Sequence, residues 1–173
     1  MRYSIKIKFL LFFLVIFAAH VSAQMHPSKQ LSSNQGLPSD QIEVVFKDSR
    51  GILWIGTSNG LSKVENGIVQ NFYTKDGIAH NNSWDIKEDQ NNNLWIASYG
   101  GGITKFDGKK FTVFNEEKGL VNNFVRKLFV FNKQVFIGTR DGISILNTKN
   151  DSISTIKTDA FAIDDIGAQN FQV

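Results

Sequence analysis

Glu43, Trp84 and Arg126 hold one place in a sequence that keeps returning to itself, each seven residues after an opening glycine (Gly36, Gly77, Gly119). A carboxylate, an indole and a guanidinium at corresponding places offer donors, acceptors and a stacking face, which is the chemistry that holds a sugar or sugar acid. Asn81, Asn82, Asn122 and Asn123 stand just before those places and would add amide contacts. Ordinary variation along a strand is the competing reading.

Other chemistry finds less support. A hydrolase needs paired carboxylates converging with cationic groups, yet Arg50, Arg126 and Arg140 fall at unlike places in their repeats. His20, His26 and His80 are isolated, so neither a triad nor a histidine metal cluster follows. Cysteine is absent, which excludes thiol nucleophiles and cysteine-bound metals. Residues 89–93 carry side-chain oxygens at alternate positions, as a calcium loop does. Their counterpart at 48–51 lacks most of those oxygens but occupies the same turn, so Asx-turn chemistry explains the composition without metal. No catalytic constellation, metal site or cofactor is expected.

The elements that must position these residues are short strands. Trp54, Trp95 and Phe136 are spaced 41 and 41 apart, and the opening glycines 41 and 42 apart. A repeat of about 40 residues made of apolar strands and glycine turns marks a propeller blade. In the first unit, residues 41–47, 52–57, 61–64 and 68–73 read as four antiparallel strands, the last two joined by an Asn66-Gly67 hairpin. The plan recurs with Asp107-Gly108 in the second unit, and with a shorter turn at 132–134 in the third. The expected fold is all-β, a partial propeller of three four-stranded antiparallel blades at 36–76, 77–118 and 119–159. Residues 24–35 are a lead-in and 160–173 the start of a fourth blade. Trp54, Trp95, Phe136, Gly56 and Gly138 are assigned to the repeat core, where large rings fill the wedge between blades.

Residues 1–23 have a basic start, an apolar run over 9–19 and small residues at 21–23, so a signal peptide cleaved after Ala23 is expected. That leader holds Arg2, Lys6 and Lys8; without it the formal charge of +3 becomes zero. A neutral chain lacks the counterion-release term that drives nucleic-acid binding, so no nucleic-acid partner is expected. The expected location is periplasmic or extracellular.

The order of Gly36-Leu37-Pro38-Ser39, Ile42, Val45, Asp48, Gly51, residues 53–57 and Gly60-Leu61 resembles the two-component regulator propeller repeat. Unit two matches at Gly77, Ile86, Asp89, residues 94–96 and Gly102-Ile103; unit three at Gly119-Leu120, Val125, Leu128, residues 137–139 and Gly142-Ile143. Departures are Ser83 for Ile42, Ala97 for Gly56, and Phe131 with Phe136 for the Asp and Trp of unit three. The resemblance implies the periplasmic sensor region of a hybrid two-component histidine kinase, many of which respond to oligosaccharides. It implies as partners an oligosaccharide, further blades and downstream signalling domains. The chain itself is expected not to be an enzyme. Since blades shelter one another's apolar faces, three of them imply a fragment of a longer frame, self-association, or a short open array. The alternatives in function are a secreted carbohydrate-binding or hydrolytic propeller and a protein-binding structural repeat.

Overall fold

The computed structural model describes residues 30–156, which form twelve strands in three four-stranded antiparallel sheets. The first sheet holds β1 (Ile42–Lys47), β2 (Leu53–Thr57), β3 (Gly60–Glu65) and β4 (Ile68–Phe72). The second holds β5 (Ser83–Glu88), β6 (Leu94–Ser98), β7 (Gly102–Phe106) and β8 (Phe111–Phe114), and the third β9 (Val125–Phe131), β10 (Gln134–Thr139), β11 (Gly142–Asn147) and β12 (Ile153–Ile156). Strands follow chain order within each sheet. Asn66-Gly67 and Asn132-Lys133 turn with both central residues at positive φ, the hairpin geometry whose twist matches the strands. The expected leader and the expected fourth-blade start lie outside the described residues.

Before each opening glycine lies a single 3-10 turn: Ser33–Gln35, Thr74–Asp76 and Glu116–Lys118. A three-residue turn leaves no hydrophobic periodicity, so the sequence pattern is silent about it. A side-chain oxygen seven residues on caps each turn. Asp40 Oδ1 accepts from Ser33 N at 2.6 Å, Asn81 Oδ1 from Thr74 N at 2.9 Å and Asn123 Oδ1 from Glu116 N at 2.8 Å. The first turn falls inside the expected lead-in, so the repeat begins before Gly36.

The core lies between sheets. One apolar cluster joins Ile52, Trp54 and Leu61 to Ile78, Ile86, Leu94 and Ile96; a second joins Trp95, Ala97 and Ile103 to Val125, Leu128, Val135 and Ile137. Trp54 packs edge-on against Phe106 at 5.5 Å, and both tryptophans are fully buried. Gly56 permits the close approach of the first two sheets, because a Cβ there would meet Ser83 O and Val44 Cγ1 at 2.6 Å. Polar ties cross the same seams. Glu88 accepts from Ser49 N and Oγ at 2.8 Å, Asp85 Oδ2 from Leu128 N at 3.0 Å, and Lys105 pairs with Asp151 at 3.1 Å.

Each buried indole is latched by the aspartate that opens its own strand turn. Trp54 Nε1 donates to Asp48 Oδ2 at 3.1 Å and Trp95 Nε1 to Asp89 Oδ2 at 2.9 Å. Asp48 Oδ1 also takes the Arg50 and Ile52 amides, and Asp89 Oδ1 those of Asn91 and Asn93. The oxygens of Asp89 are therefore committed to protein donors in an Asx-type turn. Burial pushes the Asp48 carboxyl up, but hydrogen bonds from Arg50, Trp54 and Ile52 outweigh it and hold the group below the usual range.

Phe136 departs from expectation. Register places it opposite Phe129 and Ile145, as Trp54 stands opposite Phe46 and Lys63, but among the described residues no further sheet packs on its face and Phe136 is only half-buried. Phe131 and Ile156 on that sheet are exposed at 43% and 51%. Among the described residues the ring is a wedge filler without the second wall of its wedge.

Trp54→Phe removes the donor from buried Asp48 and should destabilise the chain by about 1–3 kcal/mol in urea denaturation. The stability Asp48 contributes is present above about pH 4 and lost as pH falls through its lowered value, so the same variant should lose less stability on acidification. Gly56→Ala should cost about 1–3 kcal/mol through overpacking. Gly138→Ala, whose Cβ would first meet Lys127 O at 3.5 Å, should stay within about 0.5 kcal/mol; thermal melts of the two variants make the comparison.

Candidate functional site

Glu43, Trp84 and Arg126 share more than a count from a glycine. In each sheet the innermost ladder skips one residue: Ile42 pairs with Thr57 and Val44 with Gly56, Ser83 with Ser98 and Asp85 with Ala97, Val125 with Thr139 and Lys127 with Gly138. The residue skipped is Glu43, Trp84 or Arg126. A bulge residue is freed from the ladder's alternation and can be aimed away from the wedge.

Two of the three meet. The Arg126 guanidinium carbon lies 5.5 Å from the centre of the Trp84 ring and 6.0 Å from that of Tyr99. Trp84 and Tyr99 stack at 4.9 Å and 17°, and Phe124 meets Tyr99 edge-on at 4.8 Å. Rings of this kind attract a cation by their quadrupole and hold its plane. Trp84, Tyr99, Phe124 and Arg126 are all half-buried, so the cluster reaches the surface. Glu43 is half-buried on the first sheet and has no place in these ring contacts.

The asparagines divide. Asn81 and Asn123 spend their amide oxygens on the 3-10 turns. Asn122 accepts from Phe124 N at 2.7 Å and donates to Asp141 at 2.7 Å. The amide oxygens of these three are thus engaged in backbone contacts, because a side chain just before a strand is placed to cap the turn behind it. Asn82 differs, since its Oδ1 is buried without a partner.

Tyr99, Phe124, Ser83 and Ser98 join the site without having been expected. Tyr99 enters with one extra residue. Trp54 to Gly60 and Phe136 to Gly142 each span six residues, but Trp95 to Gly102 spans seven. In the shorter turns Thr57 and Thr139 donate to the carbonyls of Gly60 and Gly142 and accept the amides of Asn59 and Asp141. The longer turn has Ser98 there, with an unpartnered hydroxyl, and places Tyr99 against Trp84. Its path is tight: a Cβ on Gly101 would lie 2.3 Å from Ala79 O. The 42-residue interval was the available signal.

Five buried side-chain polar atoms among the described residues lack a protein partner: Asn82 Oδ1, Ser83 Oγ, Trp84 Nε1, Ser98 Oγ and Asn115 Oδ1. Asn82, Ser83 and Trp84 are consecutive, Ser98 pairs with Ser83 in the ladder, and the Asn115 backbone lies against Gly102. All five therefore surround the lengthened turn. Buried polar groups are normally paired, so their concentration in one place marks a site with unused bonding capacity.

The family model of the two component regulator propeller matches residues 36–59 and 77–100. These are two component regulator propeller repeats. The three sheets are blades of a propeller, with the matched repeats opening the first two. The extracellular domain of a hybrid two component system from B. thetaiotaomicron is similar in structure, with a TM-score of 0.69 at 19% identity over 76% of this chain. A second such domain from that organism gives 0.60 at 22% identity over 72% of the chain. The chain spans 20% and 19% of the length of those two structures. A catalytically inactive virginiamycin B lyase from Staphylococcus aureus gives 0.56 at 16% identity, over 72% of this chain and 44% of its own. At these identities the likeness is one of fold. No curated protein matches the chain significantly.

Removing the stacked phenol should open the indole of the second blade. Tyr99→Ala is expected to red-shift tryptophan emission and raise acrylamide quenching of one indole of three, at a stability cost of about 0.5–1.5 kcal/mol. A Trp84→Phe background identifies that indole, and Trp54 and Trp95 should keep their buried signal.

Proposed function

We propose that the chain forms part of the extracytoplasmic sensor of a two-component signalling protein and that it binds oligosaccharide. The observation that carries this reading is the convergence of Trp84, Tyr99 and Arg126 where the bulges of adjacent blades meet. A half-buried indole and phenol beside a guanidinium suit a hydroxylated ring, which gains dispersion from the aromatic edge and hydrogen bonds from its neighbours. The regulator-propeller repeats and the likeness to extracellular domains of hybrid two component systems support the sensory context.

A sensor has to differ in affinity between two states of the longer protein, and the seam between blades is where such a difference would act. The ligand touches residues of the second and third blades together, so its binding stiffens their junction. Phosphotransfer belongs to segments downstream, and the propeller contributes recognition. The leader expected at 1–23 fits export, with the remaining blades and signalling domains as covalent partners.

Screening the chain against neutral and acidic oligosaccharides released from polysaccharides, with calorimetry on the hits, tests this reading. Binding of at least one class is expected, weakened about tenfold or more by Trp84→Ala. A chain that binds no glycan, or whose affinity ignores Trp84, would contradict it.

A further inference from the structure

Turns in an antiparallel blade alternate between its two ends, so the turns that follow β1 and β3, β5 and β7, and β9 and β11 open on one end of the three sheets. Contacts between blades hold those turns side by side. Ser49 bonds to Glu88, Lys105 pairs with Asp151, and a Cβ on Gly108 would lie 3.9 Å from Arg50 Nη1. The bulges and the lengthened turn lie at the other end.

The charges divide between these ends, although without the leader they sum to zero. At the turn end Lys47, Lys109, Lys110, Lys133 and Lys149 are exposed, and none of them forms an ion pair among the described residues. The carboxylates there are already engaged. Asp48 and Asp89 are buried in the seams, Glu65 and Asp151 pair with Lys63 and Lys105 at 2.7 and 3.1 Å, Glu88 accepts from Ser49, and Asp107 takes the amides of Lys109 and Lys110. The other end reverses the balance, with Asp40, Asp76, Glu116, Glu117 and Asp141 exposed beside Lys75, Lys118 and Arg140. A neutral sum thus conceals a dipole along the strands.

Apolar side chains mark the turn end as well. Ile68, which follows the Asn66-Gly67 hairpin, is 71% exposed, and Phe131 stands beside the Asn132-Lys133 turn. Cations around exposed apolar tips suit the boundary of a bilayer, where headgroups take the charge and the acyl boundary takes the tips.

We propose that the turn end docks on an anionic lipid surface and leaves the end carrying Trp84 and Tyr99 facing outward. The lysines come from separate turns of three blades rather than from the walls of one groove, so they match a plane of charge better than a shaped polyanion. Each is a hydrated point charge on a flexible stem, which meets phosphate without fixed geometry. This docking goes beyond glycan recognition and does not depend on it.

The chain from residue 24 is the form to test, since it keeps every described residue and lacks the apolar leader, which would itself enter lipid. Sedimentation compares vesicles of phosphatidylcholine alone with vesicles of phosphatidylcholine and phosphatidylglycerol in equal parts. Binding to the mixed vesicles is expected at low salt, falling as salt screens the surface, with none to phosphatidylcholine. Each of Lys109→Gln, Lys110→Gln, Lys133→Gln and Lys149→Gln should weaken it about fivefold, and Ile68→Ser about threefold or more. The buried emission of Trp54 and Trp95 should not change in these variants, which shows the fold intact. Lys75→Gln and Arg140→Gln, at the other end, should bind as the parent does, and so should Trp84→Ala, which separates lipid docking from glycan binding. No preference for the mixed vesicles, binding that ignores the turn-end lysines, or capture of soluble dextran sulfate by those lysines without vesicle binding would overturn the lipid assignment and leave the sensor reading standing.

Discussion

A four-stranded sheet with apolar residues on both faces cannot stand alone in water, and every other feature of this chain follows from how that constraint is met. Each sheet shelters one face on the next, with an indole filling the wedge and an aspartate holding the indole's N–H. The latch matters because a tryptophan brings a donor into the seam that needs a partner. Asp48 and Asp89 supply it from the turn six residues earlier and use their remaining capacity to order that turn. One carboxylate thus couples strand turn to seam. The third blade has neither partner: Phe131 and Phe136 stand where the others have Asp and Trp, and the need for the latch disappears with the indole.

The candidate site arises where the repeat breaks its own rules. Bulges free one residue per blade from the ladder, so the scaffold can vary these positions without disturbing the seam. The lengthened turn goes further and gives up the threonine closure seen in the other two blades. Local departures that leave polar groups unpaired are costly and persist mainly where another role offsets the cost. Here that departure brings an aromatic pair, a guanidinium and several unpaired polar atoms to one seam.

Much of this was legible in the residues. The 41-residue spacing carried the sheets, the alternation of wedge fillers and the homologous places of Glu43, Trp84 and Arg126. What it could not carry was the use of particular side chains. Asn81 and Asn123 look available for a ligand until the 3-10 turns appear, and single turns leave no periodic trace. Phe136 looks like a core ring because its place in the repeat is a core place; its half exposure depends on whether a wall stands opposite, which no local pattern encodes. Tyr99 entered through a length difference of one residue, visible in the sequence but without meaning until the threonine closures of the neighbouring turns could be compared. The paired loss of Asp and Trp in the third unit was likewise readable, and it becomes an explanation only when the indole is found to donate to the carboxylate.

The central claim is that stability here comes from blade-to-blade contact rather than from any sheet by itself. Residue-resolved amide hydrogen exchange on the chain measures that most directly, since protection follows how well each sheet is covered. The account predicts slowest exchange in β5–β7, whose sheet is walled on both sides, and faster exchange in β10 and β11, which have a described sheet on one side only. Equal protection in the second and third sheets, or greater protection in the third, would contradict it.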